Sequence, residues 1–387
     1  MNFRELIISI YLLCFKWLFE LCKMFPLKRK VTFLVSFPEN TMAMYQEMKR
    51  QKLDLQCVFL CHKRTLNAFN NLGEPTYLLE SKNLIHTFVG IYHMATSTHV
   101  VADNYYGFLA VTTFKKSVRC IQIWHAVGAI KKFGAHDPTN VDRSPSARAR
   151  FAAVYNRFDQ FVIGADFMGD IFKEAFLAED KTFLKTGVPR TDFFFDVDKH
   201  KDIIATFHTS NPLFKEKKVI LYAPTFRKNE EKNRINLDFK KLYEQLSDDF
   251  VFVIKCHPSV KISIDITGEY EDFIFDYSDY SDIAHLLVVS DLLITDYSSI
   301  PMEFATLKRP MIFYAYDLDD YQADHGLWEH YETSVPGPVV KNTDELIDGI
   351  LQHDYPLELI DLYVKKWAEY CDGYASERLI HALFQTA

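Results

Sequence analysis

The chain has 387 residues, of which 48% are hydrophobic and 25% charged, so it can bury a large core and is long enough for two domains. Its formal net charge of -8 argues against a nucleic-acid-binding protein, because nucleic acids attract basic surfaces. Its 7 cysteines form no CxxC pair, which argues against a disulfide framework and a zinc site and favours a reducing, cytoplasmic setting.

The N-terminal segment, residues 1–30, is predicted to lie on a membrane surface. Apolar residues dominate Leu6–Phe25. Polar residues recur there at helical steps and form a narrow stripe: Glu5, Ser9, Lys16, Glu20 and Lys23. The longest uncharged run is shorter than the roughly 20 residues that a bilayer-spanning helix needs. The basic cluster Lys28-Arg29-Lys30 follows the apolar run, unlike in a signal peptide, and is expected to face anionic headgroups. The alternative is a helix packed on the protein's own core.

After residue 30, short apolar runs alternate with helical patterns, which is typical of βαβ units. The first six predicted strands are Val31–Phe37, Cys57–Cys61, Thr98–Ala102, Arg119–Trp124, Gln160–Gly164 and Phe183–Thr186. A charged, irregular stretch, Asp196–Lys218, is the predicted join between domains. We therefore predict an N-terminal Rossmann-like domain over residues 31–200.

The second half restarts the same alternation and is predicted to form a second Rossmann-like domain over residues 201–387. Its predicted strands are Val219–Ala223, Phe250–Lys255, Phe273–Phe275, Val288–Ile294 and Met311–Tyr314. The last segment, Glu358–Phe384, is predicted to be helical and to pack back on the first domain. The predicted fold class is α/β, with two doubly wound domains facing each other across a cleft.

Asp296-Tyr297-Ser298-Ser299 follows a predicted strand and precedes a segment with helix-start chemistry, including Pro301. A strand, a tight turn and a helix N-terminus place backbone N–H groups at the carboxyl end of a sheet, where they can hold a phosphate. The alternative is that the two serines only cap a helix.

Other polar residues also follow predicted strands. The set is His125, Arg190, Arg227, His257, Asp296, Ser298 and Ser299. No GxGxxG or GxxxxGK[ST] motif is present, which argues against dinucleotide redox chemistry and P-loop NTP hydrolysis. Histidine can accept a proton near neutral pH, so His125 and His257 are candidate bases, although a single histidine more often has a structural role.

Six ordered motifs closely resemble the CDP-glycerol glycerophosphotransferase family of teichoic acid synthesis. They are Gln122–Gly134, Gly187–Asp192, Tyr222–Arg227, Lys255–Pro258, Thr295–Ser299 and Arg309–Asp317. Within the family, the Trp-His-Ala-x-Gly form and the short length are similar to glycerol-phosphate primases of the TagB/TarB type. Polymerases typically have Trp-His-Gly-Thr, whereas this chain has Ala126 and Val127 there.

The resemblance implies a GT-B type fold and transfer of sn-glycerol 3-phosphate from CDP-glycerol, with release of CMP. It implies as acceptor the ManNAc of an undecaprenyl-diphosphate-linked ManNAc-GlcNAc disaccharide, reached at the cytoplasmic face of the membrane. No cofactor, metal or nucleic acid is implied. The acidic run Asp317–Asp320 is expected to be a solvated helix start and not a metal site.

The resemblance also implies roles for individual residues. His125 is the expected general base, and His257 is expected to contact the donor phosphates or assist departure of CMP. Ser298 and Ser299 are expected to bind the diphosphate, which Arg227 neutralises. Asp296 is expected to orient a histidine or the turn. Further expected substrate-binding residues are Gly128, Lys131, Lys132, Arg190, Pro258 and Thr295.

Three other functions stay open from the sequence alone. One is a polymerase-type member of the same family. Another is a GT-B glycosyltransferase or epimerase that uses a nucleotide sugar, which the fold alone permits. The third is a catalytically silent peripheral membrane module.

Overall fold

A computed structural model describes residues 3–81, 83–227, 235–256, 268, 270–352 and 355–385. The helices there are α1 (Phe3–Cys22), α2 (Pro38–Arg50), α3 (Leu66–Asn70), α4 (Leu84–Thr96), α5 (Pro145–Tyr155), α6 (Asp166–Phe176), α7 (Val197–Ser210), α8 (Leu213–Glu216), α9 (Phe239–Leu246), α10 (Ile283–Val289), α11 (Ile300–Phe304), α12 (Leu318–His325), α13 (Tyr331–Ser334), α14 (Thr343–Leu351), α15 (Leu357–Ala368) and α16 (Ala375–Phe384). The strands are β1 (Lys28–Val35), β2 (Gln56–Cys61), β3 (Thr76–Leu78), β4 (Ser97–Ala102), β5 (Arg119–Gln122), β6 (Gln160–Val162), β7 (Thr182–Leu184), β8 (Lys218–Ala223), β9 (Phe250–Ile254), β10 (Ile274–Asp276), β11 (Leu292–Thr295), β12 (Met311–Tyr314) and β13 (Val339–Val340).

The chain divides into two compact units. Unit 1 comprises residues 1–127, 133–192 and 370–387, and unit 2 comprises residues 128–132 and 193–369. In the described part of the chain, unit 1 has a parallel sheet in the order β3-β2-β1-β4-β5-β6-β7, and unit 2 has one in the order β10-β9-β8-β11-β12-β13. The predicted α/β class with parallel sheets is confirmed.

The core of unit 1 forms because its central strands are apolar on both faces, as expected for a parallel sheet covered by helices. Phe33 of β1 stacks on Phe59 of β2 with ring centroids 5.3 Å apart. Met44 and Met48 of α2 and Leu379 and Ile380 of α16 pack in the same cluster. The C-terminal helix is therefore part of unit 1, although residues 193–369 separate it in sequence from the rest of that unit.

The core of unit 2 is built in the same way. Phe252 of β9 and Ile294 of β11 lie in a buried cluster with Leu242 of α9 and Leu346 of α14. In both units the strand order reverses at one place, between β1 and β4 in unit 1 and between β8 and β11 in unit 2. Ligands of doubly wound sheets bind at the carboxyl ends of the strands at such a reversal. These two places position the candidate site residues.

Two predictions about local structure were wrong. Val288 and Val289 belong to helix α10, which Asp282 caps by accepting a hydrogen bond from Ala284 N, and only Leu292–Thr295 forms the strand. The predicted join Asp196–Lys218 contains helices α7 and α8, which bury Phe207 and Phe214 within unit 2. The charges in that stretch lie on exposed helix surfaces, and the boundary between units falls at Asp192 instead.

Helix α1 packs on unit 1 through one face. Leu12, Phe15 and Phe19 are buried, and Phe15 stacks on Phe108 at 5.0 Å between ring centroids. At its start, the Glu5 carboxylate accepts hydrogen bonds from Arg150 at 2.8 and 3.1 Å. The alternative of a helix packed on the protein's own core therefore describes one face of α1.

The opposite face of α1 is apolar and exposed. Its exposed large side chains are Phe3, Leu6, Ile7, Ile10, Leu13, Trp17 and Leu21. Each helix in the described part of the chain is too short or too polar to span a bilayer. The expected basic edge is smaller than predicted, because Lys30 is buried and donates a hydrogen bond to Thr96 Oγ1 at 2.7 Å, which leaves Lys28 and Arg29 exposed.

Candidate active site

His125 follows β5 of unit 1, and its half-buried imidazole lies between two aromatic rings. The Phe37 ring is stacked on one side, with centroids 4.2 Å apart and planes 19° apart. The Trp124 ring lies at 4.2 Å with planes 32° apart. Two flat aromatic contacts restrict the rotation of the imidazole and keep water from its faces.

The hydrogen bond of His125 determines which ring nitrogen carries the proton. Its Nδ1 lies 3.0 Å from the backbone carbonyl oxygen of Asp103. A carbonyl oxygen only accepts hydrogen bonds, so Nδ1 of the neutral ring must be protonated, and Nε2 keeps its lone pair. Burial lowers the pKa of His125 to about 4; the Asp103 carbonyl opposes this, and the charges of Arg190 and Arg64 add to it. His125 is therefore a neutral imidazole at pH 7 that can accept a proton at Nε2.

The backbone around His125 is fixed by side chains from other parts of unit 1. Trp124 has a φ of 54°, a left-handed conformation that costs energy for a large residue. Its N–H donates to Gln122 Oε1 at 2.9 Å and its carbonyl accepts from Asn40 Nδ2 at 2.9 Å. Arg190 Nη1 donates to the carbonyl of His125 at 2.9 Å. Arg190 thus contacts the backbone of His125, a contact that the sequence did not predict.

In unit 2, Asp296 lies at the strand reversal and holds the loop after β8. Its Oδ1 accepts hydrogen bonds from Thr225 N at 2.8 Å and Tyr297 N at 2.7 Å. Its Oδ2 accepts one from Arg227 Nη2 at 2.9 Å. These are the contacts of a residue that orients the turn.

Arg227 is buried, with 5% exposure, and two carboxylates compensate its charge. Besides Asp296, it binds Asp317 in a bidentate pair, with Nε–Oδ2 at 2.7 Å and Nη2–Oδ1 at 2.9 Å. The group of one arginine and two aspartates has a net charge of about -1 when all three are ionised, so it offers a diphosphate no net positive charge, and the expected role of Arg227 there stays a prediction. Asp317 is likewise engaged in this structural group.

Ser298 and Ser299 are half-buried. Ser298 Oγ accepts a hydrogen bond from Ile300 N at 3.2 Å and keeps its own proton for donation. Ser299 is at the N-cap of α11 without a side-chain capping bond. Because α11 has only 5 residues, its dipole is small, which weakens the argument for phosphate binding at this helix N-terminus.

Thr295 was expected to bind substrate, and the structure contradicts a side-chain contact. Its side chain is fully buried, and its hydroxyl donates to the carbonyl of Ala223 at 2.7 Å. It therefore joins β11 to β8. His257 and Pro258 lie outside the described residues, and their roles stay predictions.

Gly128, Lys131 and Lys132 lie in the short segment 128–132. This segment belongs to unit 2. Lys131 forms an antiparallel bridge with Leu327, and Lys132 N donates to Gly326 O at 3.1 Å. A Cβ on Gly128 would lie 2.2 Å from Trp367 Cε3 and 2.6 Å from Met302 Sδ. Gly128 therefore permits a close approach of this segment to α15 and α11, and its expected substrate contact stays a prediction.

Gly128→Ala is expected to lower the free energy of unfolding by about 1–3 kcal/mol, because a methyl group would overpack this contact. The matched control is Gly107→Ala, where an added Cβ has no atom within 4 Å. Urea denaturation measures both variants. Equal stability of the two variants would show that the segment can move away from Trp367 at no cost.

Residues 18–385 match the family described as CDP-Glycerol:Poly(glycerophosphate) glycerophosphotransferase. The chain belongs to this family. The family predicted from the six motifs is thereby confirmed, and the chain is an enzyme of the glycerophosphotransferase type.

This glycerophosphotransferase is similar to several curated relatives and solved structures, including the following two relatives and one structure. The teichoic acid glycerol-phosphate primase of Bacillus subtilis (strain 168) is 35% identical over 98% of this chain and 98% of its own. The teichoic acid poly(ribitol-phosphate) polymerase of Bacillus spizizenii (strain ATCC 23059 / NRRL B-14472 / W23) is 36% identical over 78% of this chain and 49% of its own. The structure of the wall teichoic acid polymerase TagF is similar with a TM-score of 0.77, at 22% identity over 99% of this chain and 98% of that chain, which supports the fold alone.

No role was predicted from the sequence for four residues of this glycerophosphotransferase that contact His125 or its neighbour Trp124. They are Phe37, Asn40, Asp103 and Gln122. A signal was present for Asp103, which follows a predicted strand, and for Phe37, at the end of the first strand. Both strands border the reversal in unit 1, a position that the strand order alone reveals.

Proposed function

We propose that the chain is a teichoic acid glycerol-phosphate primase. It transfers sn-glycerol 3-phosphate from CDP-glycerol to the ManNAc of a ManNAc-GlcNAc-diphospho-undecaprenol acceptor and releases CMP. The observation that carries the proposal is the neutral His125, whose Nε2 keeps a lone pair for the acceptor hydroxyl. Identity of 35% to a glycerol-phosphate primase along nearly the whole of both chains supports the choice within the family.

The proposed reaction balances without a covalent enzyme intermediate. The acceptor oxygen attacks the phosphorus that carries glycerol, and the bond from this phosphorus to the oxygen of CMP breaks. His125 Nε2 takes the hydroxyl proton as the new phosphodiester forms, and CMP leaves with the former bridging oxygen. Positioned donors stabilise the charge that develops on the phosphoryl oxygens.

On the donor side, the proposal assigns the diphosphate to the hydroxyls of Ser298 and Ser299 at the strand reversal of unit 2. Their half-buried position, next to a turn that Asp296 holds, supports this assignment. The proposal assigns the positive charge at the diphosphate to Lys131 and Lys132, because two carboxylates already compensate the charge of Arg227. His257 stays the proposed contact for the donor phosphates and the departing CMP.

The proposal also includes a location on the cytoplasmic face of the membrane. The exposed apolar face of α1 supports it, because an interfacial helix buries such a face among lipid headgroups and acyl chains. Contact with the membrane would bring the enzyme to an acceptor that is itself anchored there by its lipid. The GT-B classification of the two doubly wound units belongs to the same proposal.

A donor comparison tests the proposal. The purified full chain is given a synthetic lipid-linked disaccharide with CDP-glycerol, CDP-ribitol or UDP-GlcNAc, and nucleotide release is measured. We expect CMP release from CDP-glycerol at a kcat/KM at least about 100-fold above the other two, because a site that hydrogen-bonds one substrate rejects analogues strongly. Preference for CDP-ribitol would favour the ribitol-phosphate relatives, and UDP release would favour a nucleotide-sugar enzyme.

A further inference from the structure

We propose that Asp103 and Phe37 are positioning residues that hold the His125 imidazole in its orientation. Asp103 acts at both ends of the arrangement: its backbone carbonyl binds Nδ1 of His125, and its carboxylate holds the loop that carries Phe37. The inference rests on the proposed role of His125 as base and adds the residues that prepare it for that role.

The carboxylate of Asp103 is fully buried and makes three hydrogen bonds. Its Oδ2 accepts from Ser36 N and Phe37 N, each at 2.7 Å, and its Oδ1 accepts from Tyr106 Oη at 2.7 Å. In a nucleotide-binding sheet, backbone N–H groups after the first strand at this reversal bind phosphate. Here a side-chain carboxylate takes both N–H groups, so this place in unit 1 serves to fix the loop.

The loop in turn completes a column of flat groups around His125. The Arg64 guanidinium lies 4.5 Å from the centroid of Phe37 and donates from Nε to Ser36 O at 3.0 Å. Phe37 stacks on His125, which contacts Trp124, and Trp124 stacks on Phe133 at 4.7 Å. Movement of Phe37 would uncover one face of the imidazole to water.

The titratable and charged groups around His125 come from four elements. They are Asp103 after β4, Arg64 before α3, Arg190 in the turn after β7, and Glu39 of α2, which lies 3.6 Å from Arg190. Burial raises the pKa of Asp103 to about 7 against its three hydrogen bonds, so its own ionisation falls in the neutral range. The pKa of His125 must therefore be measured directly, in addition to the activity.

The experiment is a pH titration of the full chain labelled with 15N-histidine, followed by NMR, with kcat and KM measured on the same samples. In Phe37→Leu we expect the pKa of His125 to rise from about 4 towards 6.5, because water reaches the ring. At pH 7 we expect kcat to fall about 10-fold, with the KM for CDP-glycerol changed less than about 3-fold, as for lost alignment of a base. Phe37→Tyr, which keeps the ring, is expected to restore both values.

The matched control is Tyr77→Leu, because the Tyr77 ring stacks on another histidine of unit 1, His93, at 5.5 Å. It is expected to shift the His93 signals and to leave those of His125 in place. Tyr106→Phe removes one hydrogen bond to Asp103 and is expected to give an intermediate shift of the His125 pKa, so the inference stays testable if Phe37→Leu does not fold. Unchanged His125 signals in both Phe37→Leu and Tyr106→Phe would overturn the positioning role.

Failure of this inference and failure of the proposed function give different results. The NMR titration reports the environment of His125 whether or not His125 is the base. If His125→Asn keeps full activity, the proposed base is wrong even where Phe37→Leu shifts the His125 pKa.

Discussion

His125→Asn is expected to lower kcat for glycerol-phosphate transfer by about 10²–10⁴-fold, the usual contribution of a positioned general base. The KM for CDP-glycerol is expected to change less than about 3-fold, because the proposed base acts on the acceptor hydroxyl and not on the donor. Steady-state release of CMP, measured at pH 7.5 with lipid-linked disaccharide, gives both constants.

The control for this prediction is His62→Asn, which changes an exposed histidine of the same unit. Thermal unfolding of both variants shows whether the fold is kept. Because the pKa of His125 is about 4, its ring is unprotonated from pH 6 to 8, and this ionisation reduces activity only as the pH falls towards 4. A rate for His125→Asn within 3-fold of the unchanged chain would remove His125 from the mechanism.

Replacing the exposed apolar residues of α1 is expected to have the second-largest effect. The variant carries Leu6→Ser, Ile10→Ser, Leu13→Ser and Trp17→Ser, all on the face opposite the packed residues of α1. Each such side chain contributes about 1.5–3 kcal/mol when it is fully buried from water, so even partial insertion of four predicts a loss of vesicle binding of at least about 100-fold. Sedimentation with vesicles that contain anionic lipid measures it.

The same variant separates membrane binding from chemistry. Turnover of a long-chain lipid acceptor should fall with vesicle binding, whereas turnover of a short-chain, soluble acceptor should stay within about 3-fold, because none of the described contacts of His125 comes from α1. The matched control replaces the exposed Leu357, Leu359 and Leu362 of α15 with Ser. Equal loss on both acceptors, or unchanged vesicle binding, would contradict the membrane role of α1.

Several strands could be predicted closely because parallel strands covered on both faces form uninterrupted apolar runs. Met311–Tyr314 follows a proline and was predicted at its observed bounds. The error at Val288 arose because a short apolar run fits a buried helix as well as a strand, and the Asp282 cap that decides between them lies outside the run. The strand Thr76–Leu78 was missed because it is a half-buried edge strand of 3 residues without a clear pattern.

The candidate site could be predicted only for residues whose position along the chain is itself informative. His125 follows the predicted strand Arg119–Trp124, and it lies three residues after the observed strand β5, so its place near the carboxyl end of that strand followed from the sequence. Its contacts with Phe37 and Asp103 did not, because they depend on the strand order, which sets β1 beside β4. The charge of Arg227 could be read from the sequence, but the two carboxylates that compensate it come from separate loops and appear only in the folded chain.

The mass of the product tests the central claim most directly. The full chain is incubated with CDP-glycerol and the synthetic disaccharide lipid, beside His125→Asn, and the acceptor is analysed by mass spectrometry. We expect the acceptor to gain the mass of one glycerol phosphate with the unchanged chain, even at excess donor, and almost none with the variant. A ladder of added glycerol phosphates would indicate a polymerase, and an unmodified acceptor with both proteins would contradict the proposed transfer.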